Sequence, residues 1–184
     1  MLGRYSGFTE MHNLGIQLGL KLPTGSKDQN SSGGAITAVD PGLQLGTGTT
    51  DLIVGAYFFD SLSDNWSYFT QASFQAALNH STMAGGSYKP GNSVSMSLGA
   101  RYKGFSAFVP SIQVNGRYAQ VDSGDAADTY STGGKLLYLT VGAMVPVTES
   151  FAPYVNVQVP IYQNVNGIQL TPRYVASLGV KYSF

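Results

Sequence analysis

Apolar and polar residues alternate along much of this chain, a period of two that predicts strands rather than helices, nine in all. In 14–22, Leu14, Ile16, Leu18, Leu20 and Leu22 share one face, against Gly15, Gln17, Gly19 and Lys21. In 93–103, Val94, Met96, Leu98, Ala100 and Tyr102 oppose Ser95, Ser97, Gly99 and Arg101. The longest segment, 65–79, sets Trp66, Tyr68, Ala72, Phe74, Ala76 and Leu78 against Ser67, Gln71, Ser73, Gln75 and Asn79. The last, 171–184, sets Tyr174, Ala176, Leu178, Val180, Tyr182 and Phe184 against Arg173, Ser177, Gly179, Lys181 and Ser183. The remaining strands are expected at 2–8, 52–60, 135–147 and 151–163, with one more turning directly out of Lys103-Gly104 and ending near Gln120.

Connections alternate in length. Short ones are expected at 9–12, 61–64, 103–104 and 148–150, and longer ones rich in Gly, Ser, Thr, Asn or Asp at 23–50, 80–92, 121–133 and 164–170. Strands with one greasy and one polar face, joined by tight turns at one end and long loops at the other, predict an all-β fold. It is an antiparallel up-and-down transmembrane β-barrel with tight periplasmic turns and extracellular loops. Residues 1–184 read as a single such domain in the bacterial outer membrane. Rings gather on the apolar face near the short turns (Phe58, Trp66, Tyr68, Tyr102, Phe151, Tyr182 and Phe184), as an interfacial girdle requires, while the far end has Tyr118 and Tyr174. The closing run through Tyr182 to Phe184 resembles the C-terminal signal of outer-membrane barrels, which implies the barrel-assembly machinery as a partner of the last strand.

Composition agrees with this picture. Charged residues make up 11% of the chain and balance to zero, against roughly 25% in soluble domains. So charge-poor a surface suits a lipid-facing outside and speaks against nucleic acid as a partner. With no Cys, neither a disulfide framework nor a thiolate metal site is available. No apolar run approaches the roughly 18 residues a membrane helix needs, so any crossing is made by strands.

Nine is an odd number, whereas single-chain bacterial barrels have an even strand count, because an unpaired edge is not tolerated in lipid. The expectation is that further strands and a signal peptide lie upstream of Met1; the alternative is that 2–8 is not a strand and the barrel has eight.

Two motifs carry a family resemblance. Gly19-Leu20-Lys21-Leu22-Pro23-Thr24-Gly25, followed by Leu43-Gln44-Leu45-Gly46-Thr47-Gly48-Thr49-Thr50-Asp51, resembles the signature of the MetA-pathway phenol-degradation family of outer-membrane proteins. The resemblance implies a barrel of about 12 strands in a complete relative, an even count as single-chain barrels require. It also implies passage of small aromatic or hydrophobic compounds, with no catalytic residues to assign.

Motifs that hint at chemistry have plainer readings. Gly46-Thr47-Gly48 lacks the Lys-Ser/Thr ending of a phosphate loop and precedes a strand, which makes it a turn. Asp122, Asp125 and Asp128 do not follow calcium-loop spacing and read as solvated loop acids. His80-Ser81 has no His or acid partner in prospect, since His12 is expected at the opposite membrane face. The expectation is therefore a protein without catalysis, metal or cofactor. Pro110, Pro153 and Pro160 interrupt strands and call for bulges, since each removes a ladder donor.

The candidate site is the lumen. Gln71, Gln75, Gln113, Asn115, Asn156 and Gln158 are expected at mid-depth on the polar face, with Lys21, Asp51, Arg117 and Arg173 at the outer mouth and Arg101 and Lys181 toward the periplasm. Neutral hydrogen-bonding walls favour a small uncharged or weakly acidic solute over ions held by charged rings. The same side chains could instead fill a narrow barrel that has no channel. Two functions follow: a passive channel or transporter for small aromatic or hydrophobic molecules, or a structural or adhesive barrel whose loops bind a partner. Lipid and lipopolysaccharide are expected around either, with the outer-mouth cations available to lipopolysaccharide phosphates.

Overall fold

The computed structural model describes residues 3–6, 13–27, 30–31, 37–38, 40–83 and 85–182. Nine strands form its main sheet: β1 (Gly3–Ser6), β2 (Asn13–Lys21), β3 (Asp51–Ser61), β4 (Trp66–Ala77), β5 (Ser93–Tyr102), β6 (Val109–Ala119), β7 (Gly134–Met144), β8 (Phe151–Val165) and β9 (Val175–Tyr182). Each pairs antiparallel with its neighbour in sequence, so the order from edge to edge is the chain order. This is the expected up-and-down topology. Among the described residues β1 and β9 are each paired on one side only.

Register carries the alternation from strand to strand without loss. Leu18 faces Val54, Val54 faces Phe74, Phe74 faces Val94, and Val94 faces Tyr118, so one apolar surface runs across five strands. That surface is open: Leu20, Leu98 and Leu178 are 62%, 60% and 83% exposed. Among the described residues the buried hydrophobic ones, by contrast, are Ala77, Met83, Tyr88, Tyr138 and Ala152. A water-soluble domain of this length could not leave its Leu and Val outside and bury so little, because each such side chain contributes about 1.5–3 kcal/mol only when removed from water. The sheet is built inside out, greasy toward its surroundings and polar within.

The polar face is concave. One cavity of about 490 Å³ is lined by Asn13 of β2, Phe59 of β3, Arg101 of β5, Met144 of β7 and Lys181 of β9, which a flat sheet would hold far apart. The nine strands therefore curl into part of a barrel wall.

Connections at one end are short, at 62–65, 103–108 and 145–150, and at the other long, at 22–50, 78–92, 120–133 and 166–174. The long ones carry structure that periodicity did not reveal. Ser81–Met83 and Gly86–Tyr88 form a small hairpin, as do Asn30–Ser31 and Thr37–Ala38, and Pro41–Leu43 is a 3-10 turn.

Several expectations are corrected. The last strand starts at Val175 rather than Thr171, which leaves Arg173 and Tyr174 in the preceding connection. Lys103-Gly104 does not turn directly into a strand; 103–108 intervene, and Phe105 and Phe108 extend the girdle. Rings run Trp66, Tyr102, Phe105, Phe108 at successive centroid distances of 5.0, 5.1 and 5.1 Å, beside Phe58 and Tyr68 at 5.9 Å. Such pairs contribute about 0.5–1.5 kcal/mol each beyond burial. Of the three prolines only Pro160 sits at a bulge, where the β7 register passes from Pro160 to Tyr162 and leaves Ile161 over. Pro110 lies beyond the first β5 pair, Ser111 with Arg101, so no ladder bond is missing on that side. Pro153 pairs with Val180 without a shift, and its carbonyl still accepts from the Val145 N–H at 2.9 Å. The expected connection at 9–12, His12 and Phe184 lie outside the described residues.

Candidate functional site: the concave polar face

Three layers of side chains occupy the concave face. The first, at the long-loop end, is an ionic knot. Lys21 closes β2 and Asp51 opens β3, and because the two are register partners their side chains meet, Nζ to Oδ2 at 2.6 Å. Gln75 of β4 donates to the same oxygen at 2.7 Å, while the Thr49 hydroxyl donates to Oδ1 at 2.6 Å. Lys21 also donates to Thr47 Oγ1 at 2.7 Å. Asp51 is thereby sealed at 2% exposure, with every bond charge-assisted. The two family-like motifs are thus one structure, brought together by a close backbone approach: a side chain on Gly25 or Gly46 would run into the other's backbone.

Over this knot the long loops are fastened to one another. Lys27 donates to the Thr82 carbonyl, Ser81 to the Thr47 carbonyl, and Lys89 and Ser123 exchange backbone bonds. Met83 and Tyr88 are buried beneath. The Tyr88 hydroxyl donates to Asp122 at 2.8 Å, and burial together with that carboxylate pushes its ionisation far above the ordinary phenol value. Asp122 also accepts from the Gly91 N–H. Asp128 accepts from the backbone of Ser131 and Tyr130, which holds its carboxyl below the usual range. Asp122 and Asp128 are thus occupied in loop bonds, and among the described residues no group of His, Asp and Glu is arranged to hold a metal.

The second layer is neutral. Asn115 of β6 reaches both ways along the concave wall: its Oδ1 accepts from Ser97 of β5 at 2.8 Å and from Gln113, and its Nδ2 donates to Thr140 of β7 at 2.8 Å and Gln158 of β8 at 3.3 Å. Thr140 donates to Gln158 at 3.2 Å. A side chain on one strand touching the second strand over is a consequence of the curl. Gln71 is the β4 partner of Ser97 at this depth. On the long-loop side of this layer a cavity of about 500 Å³ is bordered by Asn115, Gln158 and Arg117.

The third layer, at the short-turn end, is aromatic and cationic, and alternation alone did not reveal it. Tyr57, Phe59, Phe69 and Tyr154 fall on the concave face by register. Three of them lie on a glycine in the neighbouring strand: Tyr57 over Gly15, Phe69 over Gly99 and Tyr154 over Gly179, each pair being direct register partners. A Cβ on any of these glycines would overlap the ring. Missing Cβ atoms let the rings lie against the wall and leave the centre open. Arg101 stacks on Phe69, its guanidinium 4.7 Å from the ring centroid. The side chain of Asn156 rests over Gly142 in the same manner and borders a cavity of about 440 Å³ with Arg101 and Lys181.

Structure therefore gathers Gln113, Asn115 and Gln158 in one network, ties Gln75 and Lys21 to Asp51, and places Arg101 on a ring. Arg117 stands at the rim of the long-loop cavity, whereas Arg173 does not belong to the sheet at all. Tyr57, Phe59 and Phe69 have one visible signal, consecutive rings at Tyr57-Phe58-Phe59 and Tyr68-Phe69, which no alternation can put on a single face; Tyr154 has none of this kind.

An up-and-down sheet with this inversion of faces is the fold of a transmembrane β-barrel. It is similar to the crystal structure of an outer membrane channel from Pseudomonas putida F1, with a TM-score of 0.74 and 14% identity, over 97% of this chain and 62% of that one. The chain thus spans less than two thirds of that channel's length. No protein-family model matches the sequence, and no curated protein matches it.

Proposed function

We propose that this chain forms the greater part of an outer-membrane channel passing small aromatic or hydrophobic solutes, without chemistry of its own. The observation that carries this reading is the concave face itself, where polar walls border cavities of about 500, 490 and 440 Å³ behind an apolar exterior. The phenol-degradation resemblance supports the solute class through the two motifs, which meet in the Lys21–Asp51 knot. Outer-membrane lipid covers the Leu and Val face, lipopolysaccharide surrounds the long-loop end, and the barrel-assembly machinery takes the C-terminal strand. The test is conductance of the full-length protein in planar bilayers, with solute flux into proteoliposomes. Ion current and accelerated uptake of a small phenol are expected, and a folded, heat-modifiable barrel that passes neither would contradict the proposal. The fastened loops favour a second reading, an adhesive barrel, which that same negative result would leave standing.

A further inference from the structure

The short-turn half of the concave face combines cations that have no carboxylate within ion-pair distance among the described residues with flat rings. Two adjoining cavities, of about 490 and 440 Å³, share Phe69, Arg101, Val109, Met144 and Lys181 as walls. Neither Arg101 nor Lys181 is within ion-pair distance of a carboxylate among the described residues, in contrast to Lys21. Of the residues lining the two cavities the one acid is Asp60, in the wall of the larger, which Lys103 shares.

Arg101 is held for a purpose other than an ion pair. Its guanidinium carbon lies 4.7 Å from the Phe69 ring centroid and the side chain lines both cavities, where a guanidinium can grip a carboxylate bidentately. Lys181 adds a second positive charge on the same wall system. Around them, Phe69 and Tyr154 lie back on Gly99 and Gly179, Val109 and Met144 add apolar wall, and Ser111, Gln113 and Asn156 make the rest of it polar. Inorganic anions would leave the rings unused, and neutral phenols would leave both positive charges without a counter-charge. A planar acid on an aromatic ring uses both, and the volume is that of ordinary small-ligand sites.

We propose that this chamber is a binding site for small aromatic carboxylates, with Arg101 and Lys181 taking the carboxylate and Phe69 and Tyr154 the ring. As a statement about flux it deepens the channel reading and rests on it; as a statement about binding it stands alone.

The experiment uses the full-length protein in detergent, titrated with 4-fluorobenzoate and separately with 4-fluorobenzyl alcohol under fluorine NMR. The acid is expected to bind at least about tenfold more tightly than the alcohol. Arg101→Gln should erase that preference by weakening the acid at least about tenfold more than the alcohol, Arg101→Lys should restore part of it, and acetate should compete only weakly. Lys181→Gln, read in the same way, covers the case in which Arg101→Gln does not fold, which loss of heat-modifiable migration would reveal. Equal binding of acid and alcohol, or a preference that survives both substitutions, would overturn the site. Bilayer recordings on the same samples separate the two proposals. Binding that depends on Arg101 in a silent protein removes the channel and keeps the site, whereas current without such binding does the reverse.

Discussion

The two ends of the concave face solve the problem of an ionisable group beside a membrane in opposite ways. At the long-loop end Lys21 and Asp51 neutralise one another and are closed off by Thr47, Thr49 and Gln75. At the short-turn end Arg101 has a ring in place of a counter-ion, and Lys181 borders the same open space. Sealed charges hold structure together, while open charges are available to a ligand. The difference lies in the neighbours: hydroxyls and an amide enclose a carboxylate, whereas glycine-backed rings leave room.

The contrast predicts a graded response to substitution. The largest effect is expected at the knot. Lys21→Met strips Asp51 of its cation while leaving the carboxylate sealed, and because Lys21 is itself 34% exposed the cost is about 2–3 kcal/mol rather than the full penalty of a deeply buried pair. Urea unfolding of the lipid-reconstituted protein measures it, and the same change at Arg101 should cost under about 1 kcal/mol, since the cation there seals nothing.

Next is Gly99→Ala, which pushes the Phe69 ring off the wall and separates it from Arg101, at about 1–3 kcal/mol of overpacking. Its distinguishing readout is the fluorobenzoate affinity, which should fall together with stability.

In the neutral layer between the two ends, Asn115→Leu removes the hub of the network but leaves partners that water can reach. Stability should change by less than about 1 kcal/mol, whereas flux through the reconstituted protein should change, with Gln75→Leu acting in the same direction. Unaltered flux with a folded barrel would show that this layer does not border the pathway.

The loops supply the two smallest effects, both pH-dependent. Tyr88 ionises less readily when folded, so its contribution is complete below the ordinary phenol value of 10.0 and fades as pH rises beyond it. Limited proteolysis of 78–92 and 120–133 should accelerate above that point in the wild type and be fast at neutral pH in Tyr88→Phe. Asp128 runs the other way. Its lowered ionisation makes its contribution complete above 3.8 and lost as pH falls through the folded value, a weak effect because the group is exposed.

Much of this molecule is legible from a period of two. Strand count, strand order and the Leu and Val surface follow from alternation, because in an up-and-down sheet every register pair repeats the same inside or outside choice. Strand ends are less legible: alternation carries the last strand back to Thr171, whereas pairing begins only at Val175, and the one local sign is Pro172, which lacks a ladder donor. The neutral layer was readable as Gln and Asn on the polar face, but that Asn115 links four strands depends on curvature, which alternation does not encode. The aromatic chamber was hidden for a different reason. Phe69 is in phase with Ser67 and Gln71 on the polar face but is itself apolar, and the Gly99 opposite it, which makes an inward ring tolerable, is known only once β4 is paired with β5.

One measurement bears most directly on whether the concave face lines a pathway. The chain has no cysteine, so single cysteines introduced one at a time at Gln71, on the polar face, and at Leu98, on the apolar face, are unambiguous reporters. Each full-length variant is placed in a planar bilayer and exposed to a charged, water-soluble thiol reagent. Stepwise loss of current with Gln71→Cys and none with Leu98→Cys is the predicted result. Modification of Leu98→Cys with Gln71→Cys untouched would mean that the faces are reversed and that water never enters the curl of this sheet.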